Sequence, residues 1–83
     1  MQTIEILKRF IIDEIATELD LNDLDESQSL LETGILDSLG ILKLVAFIEA
    51  EFLVKIEDEE LIPENFETLS EISRMISNKN ASS

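Results

Sequence analysis

Two stretches of the chain hold residues whose types and spacing could do chemistry. The first is Gly34-Ile35-Leu36-Asp37-Ser38-Leu39-Gly40, where a polar connection runs into an amphipathic segment. A serine on the first turn of a helix lies beside unpaired backbone N–H groups and the positive end of the helix dipole, an environment that stabilises a phosphate. If Asp37 is the N-cap, the Ser38 hydroxyl projects into solvent next to those donors, ready to become a phosphoester. If Ser38 is itself the cap, the commonest use of a serine at such a place, its role is structural, and capping preference alone favours this second arrangement. The other stretch runs from Asp20 to Gly34 and is dense in oxygen ligands, which raises calcium. An EF-hand loop needs oxygen side chains at positions 1, 3 and 5, Gly at 6 and Glu at 12. Started at Asp20, position 6 is Asp25 and position 12 is Leu31; started at Asp23, they are Gln28 and Gly34. Both registers fail at the two most diagnostic positions, so no metal site is expected.

Composition narrows the chemistry further. The 83 residues hold 6 Lys plus Arg against 19 Asp plus Glu, a formal net charge of −13, with no His, Cys, Trp or Tyr. Without His or Cys there is no Ser-His-Asp or Cys-His pair and no imidazole to move a proton near neutral pH, so the chain alone is not expected to be an enzyme. No disulfide or thiolate metal site can supplement the core of so short a chain. Its 45% hydrophobic content must supply that core from aliphatic side chains. The negative charge disfavours phosphate backbones and anionic lipid, so neither nucleic acid nor a membrane is an expected partner. MQTIEILKRF lacks the uninterrupted apolar region of a signal peptide, and a cytoplasmic monomer is expected.

Hydrophobic periodicity places these stretches on helices. Ile4, Leu7, Ile11, Ile15 and Leu19 recur at three and four residue steps, predicting a helix over Thr3–Leu19 with Thr3 as N-cap. A long loop follows, with Leu21, Leu24, Leu30, Leu31, Ile35 and Leu36 available to fasten it. The second helix is expected over Ser38–Phe52. At about 100° per residue, Ile41, Leu44, Val45, Ile48 and Phe52 form a core face, while Leu39, Leu42 and Ala46 form a ridge on nearly the opposite side. Either the long loop covers that ridge or a partner does, and helix geometry alone favours neither. One short turn near Asp58–Ile62 and another after Pro63 lead to a last helix. There Thr68 and Glu71 match a capping box and Leu69, Ile72 and Ile76 form a stripe. The expected fold is all-α, a bundle of three main helices plus a short helix between the second and the last, in one domain over 1–83 with a frayed tail from about 79.

The run LLETGILDSLGILKLVAFIEAEF, with its acidic connection and closing LSEISRMI helix, resembles the acyl carrier protein and peptidyl carrier protein superfamily over about residues 4 to 78. The core of the resemblance is Asp37-Ser38-Leu39, with a Gly-Ile-Leu lead-in and a helix ending Glu51-Phe52. It implies that Ser38 carries a 4'-phosphopantetheine arm, transferred from coenzyme A by a phosphopantetheinyl transferase, with Asp37 and Leu39 flanking the attachment. The arm brings its own thiol, so a domain without His or Cys can carry acyl or aminoacyl groups as thioesters between enzymes. A loading ligase or transferase and a downstream synthase or transferase are the implied partners. The resemblance also implies that Leu39, Leu42, Lys43 and Ala46 meet those partners, and that Ile41, Leu44, Val45 and Ile48 line the interior that can shelter an acyl chain.

The chain departs from carriers of bulk fatty acid synthesis, which usually bear acidic residues soon after the serine. Gly40 and Lys43 stand at those positions, and Ile41 replaces an often polar residue. An apolar ridge with one cation is closer to peptidyl carriers and to stand-alone carriers of specialised pathways, whether the cargo is an amino acid, a polyketide intermediate or another acyl group. An interaction module that keeps the fold without the arm is the alternative.

Overall fold

The computed structural model describes residues 3–17 and 24–81, the side chains of 80 and 81 excepted. Three helices, α1 (Thr3–Phe10), α2 (Ser38–Phe52) and α3 (Leu69–Ala81), are joined by a long loop and by two 3₁₀ turns, Asp58–Glu60 and Pro63–Phe66. The fold is the expected small all-α bundle, and no strand occurs among the described residues. No helix among them is long and apolar enough to cross a membrane.

The first helix departs from expectation. It is α-helical only to Phe10, and Ile11–Ile15 widen into a π-helical turn that closes with the Ala16 N–H donating to the Ile11 carbonyl at 2.7 Å. That widening moves the buried stripe by one residue. Leu7, Ile11 and Ala16 are buried, whereas Ile15 is left half-buried at the edge. Thr3 is the first residue inside α1 rather than its cap, and Leu19 and Leu21 lie outside the described residues.

Leu24, Leu30, Ile35 and Leu36 drive the long loop into the core against Leu44 and Ile48 of α2, Phe66, and Leu69, Ile72, Met75 and Ile76 of α3. Backbone bonds hold it to the start of α3: the Leu30 N–H donates to the Glu67 carbonyl at 2.7 Å and the Ser70 N–H to the Glu26 carbonyl at 3.0 Å. The Ser29 hydroxyl donates to the Glu67 carboxylate between them. Before α2 the chain turns at Gly34, whose φ of 77° is open to glycine without strain. At α3, Thr68 Oγ1 accepts from the Glu71 N–H at 3.1 Å, which is one half of the expected capping box, and the Glu71 carboxylate pairs with Arg74 at 3.6 Å. The helix continues through Ala81 and Lys79 pairs with Glu60 at 2.6 Å, so 79–81 are not the frayed tail expected.

The end of α2 is unusual. Leu53, its C-cap, has φ 56° and ψ 47° and is the only non-glycine residue with positive φ among the described residues. A left-handed conformation costs a side-chain-bearing residue roughly 1–2 kcal/mol, and glycine is the common occupant of such a place.

Candidate functional site at the start of the second helix

Asp37 caps α2. Its backbone is extended (φ −111°, ψ −172°) and its Oδ1 accepts from the Gly40 N–H at 2.7 Å, while its carbonyl takes the Ile41 N–H at 2.8 Å. This corrects the capping preference that favours Ser38. Asp and Ser are comparable caps, and the position is decided by which residue remains extended with its side chain aimed at the third helical N–H. With Asp37 in that role, Ser38 becomes the first helical residue and its side chain is exposed. The cap uses the N–H of Gly40 and leaves those of Ser38 and Leu39 facing outward at the positive end of the helix, a setting suited to a phosphodiester.

The first turn is positioned by Gly40. A Cβ there would stand 3.1 Å from Ile15 Cγ2, 3.1 Å from Leu36 Cδ1 and 3.2 Å from Asp37 Oδ1. The π-helical turn and the loop therefore close on α2 from two sides because residue 40 has no side chain. Gly40 is buried, so it is a packing position and not a surface one.

An open, largely apolar cleft of about 330 Å³ adjoins Ser38, lined by Leu31, Leu36, Asp37, Ser38, Ile41, Leu61, Ile62, Pro63 and Phe66. Of the four residues expected to shelter a cargo, only Ile41 borders it. Leu44 and Ile48 are fully buried in the core and Val45 is half-buried. Leu61, Ile62, Pro63 and Phe66 are cleft residues that the sequence reading missed. The signal was the apolar Leu-Ile-Pro step straight after four acidic residues, with more apolar surface than one short turn needs.

The described part of the loop, from residue 24 on, does not cover the ridge on α2. Leu39 and Leu42 are 63% and 60% exposed, and Lys43 and Ala46 are exposed beside them. Of the two readings left open for the ridge, these exposures speak against cover by the described loop residues.

The chain is similar to known proteins over most of its length. Residues 9–76 match the family described as phosphopantetheine attachment site. Among solved structures, a chain in the crystal structure of an FAD-dependent dehydrogenase is 38% identical, covering 84% of this chain and 97% of its own, with a TM-score of 0.75. Acyl carrier protein from Thermotoga maritima is 30% identical, covering 99% and 94%, with a TM-score of 0.69. A chain in the structure of Bradyrhizobium japonicum glycine:[carrier protein] ligase complexed with glycylated carrier protein is 29% identical, covering 87% and 90%, with a TM-score of 0.65. No curated protein sequence is similar enough to count as a relative.

Proposed function

Because the chain belongs to the phosphopantetheine attachment family, and so is a carrier domain bearing that group covalently, we propose that Ser38 is the attached residue. The observation that carries this is the division of labour at the helix start: Asp37 caps, which frees an exposed Ser38 hydroxyl beside two outward N–H groups. In this reading a phosphopantetheinyl transferase takes up the hydroxyl proton as Ser38 Oγ attacks the coenzyme A β-phosphate, and 3',5'-adenosine bisphosphate leaves. The bound group supplies a thiol that holds acyl or aminoacyl cargo as a thioester. The chain's own residues orient and shield it. The outward N–H groups favour the phosphate, and the cleft walled by Ile41, Leu61, Ile62 and Phe66 offers apolar surface within reach of Ser38.

The reading extends to 1–83 acting as one monomeric carrier domain in the cytoplasm, served by a loading ligase that meets Leu39, Leu42, Lys43 and Ala46. Likeness to the glycylated carrier supports aminoacyl cargo. Likeness to a carrier-sized chain in a flavin dehydrogenase structure supports a downstream partner that oxidises the carried group, within a specialised pathway. Incubation with coenzyme A, Mg²⁺ and a broad-specificity transferase tests the attachment. The intact mass should rise by one phosphopantetheine in the wild type and stay unchanged in Ser38→Ala. An unmodified wild type, with the transferase active on a control carrier, would instead favour the interaction module without the arm.

A further inference from the structure

One wall of the Ser38 cleft is not anchored in the core. Leu61, Ile62 and Pro63 line the cleft, yet no residue from 57 to 65 is buried, and the segment is suspended between Ile56 and Phe66, which are. Apolar packing fixes its two ends and leaves its middle to polar contacts. Those contacts converge on Glu60. Its Oε1 accepts from the Glu57 N–H at 2.8 Å and from Lys79 Nζ at 2.6 Å, and its carbonyl accepts from Asn65 Nδ2 at 2.8 Å. The first and third bonds are local to the segment; the second ties it to α3. Lys79 meets Glu60 in a hollow of about 360 Å³, lined also by Asn65, Glu71, Arg74 and Met75, that shares no residue with the cleft. Beside them Arg74 pairs with Glu71 at 3.6 Å, but those side chains are 69% and 39% exposed, against 17% for Lys79 and 29% for Glu60.

We propose that Lys79 is a positioning residue for the cargo: its pair with Glu60 latches the 57–65 segment to α3 from behind and so keeps Leu61 and Ile62 in place as the wall of the cleft beside Ser38. The leverage comes from the order of the chain. Glu60 and Leu61 are adjacent, so a contact made in the hollow fixes the residue that the next position presents to the cleft. A pair of this exposure shifts a local opening equilibrium by about two- to fivefold, enough to change how long a cargo stays sheltered and too little to decide whether the bundle folds. The inference rests on the reading of Ser38 as the carrier site, since that reading supplies the cargo.

The first test reads the wall in the full chain without its arm, by NMR solvent exchange of the Glu57, Leu61 and Asn65 amides. Lys79→Met and Glu60→Gln should each speed exchange at these amides by about two- to fivefold, with Gly40 and Ile41 unchanged. The double variant should be no faster than Lys79→Met alone, because both substitutions break one contact. The two single variants change the net charge in opposite directions, which separates the pair from general self-repulsion. The second test loads a butyryl-bearing arm onto Ser38 from butyryl-coenzyme A, follows loading by mass and then cleaves the thioester with hydroxylamine. Cleavage should be slower than for free butyryl-pantetheine, faster by a similar factor in Lys79→Met, and restored by Lys79→Arg. Amide exchange indifferent to Lys79→Met, additive effects in the double variant, or a butyryl group cleaved equally fast in wild type and Lys79→Met would each overturn the proposal. Failure to load Ser38 at all would instead remove the carrier reading, while the exchange data still decide whether the latch exists.

Discussion

At its first turn α2 is held by a carboxylate cap, by a glycine that admits Ile15 and Leu36, and by the buried leucines of the loop; past its last turn it is held by charge. There Glu49 takes the Ile56 N–H at 2.8 Å, Glu57 and Glu60 cap the short turn at 58–60 reciprocally, and Glu60 pairs with Lys79. The first arrangement relies on close packing, which fixes one geometry and resists salt. The second relies on ion pairs and charged hydrogen bonds, which weaken in acid and in salt. The contrast places close packing at the helix end that carries Ser38 and charged contacts at the end that carries Leu53.

The largest effect should come from filling the tight end. Gly40→Leu forces a side chain between Ile15 and Leu36 and should cost about 1–3 kcal/mol in denaturant unfolding, slowing the loading of Ser38 as the first turn is displaced. A fully stable Gly40→Leu protein would break the comparison at its first term. Asp37→Ala removes the cap and should cost about 1 kcal/mol, whereas Asp37→Asn, an equally good cap, should cost much less. Equal losses for the two variants would mean that charge, not the hydrogen bond to Gly40, holds this end.

The smallest effect belongs to the charged end. Hydrogen bonds from Lys79 and from the Glu57 N–H hold the Glu60 carboxyl below its usual 4.5. A lowered carboxyl pKa stabilises the fold above the unfolded value, and the benefit is lost as pH falls through the folded value. The wild type should therefore exceed Glu60→Gln in melting temperature at pH 6–7. The difference should be worth less than about 1 kcal/mol and should vanish in acid below 4.5 and shrink in high salt. A difference that persists through both conditions would sharpen the comparison against a charge-based hold.

The extent of the helix over Ser38–Phe52 was legible from its two-sided apolar wheel, which does not by itself say which residue caps either end. The last helix was equally plain from Thr68 and Glu71. Three features were not. Asp37 and Ser38 are interchangeable as caps by type, so only the backbone at Asp37 separates them. The π-helical turn is hidden because Ile11, Ile12 and Ile15 satisfy a four-residue step as well as the observed five-residue one ending at Ala16. The cleft beside Ser38 joins residues 31 to 66, and periodicity along one helix cannot report what a distant turn at Ile62-Pro63 brings to it.

The central claim, that the capped first turn exists to present Ser38 for modification, is tested most directly on protein purified from its native host. Peptide-level mass spectrometry should find the phosphopantetheine mass, free or with its acyl or aminoacyl cargo, at Ser38, and at none of Ser27, Ser29, Ser70, Ser73, Ser77, Ser82 or Ser83. An unmodified Ser38, or the group on any other serine, would contradict the account.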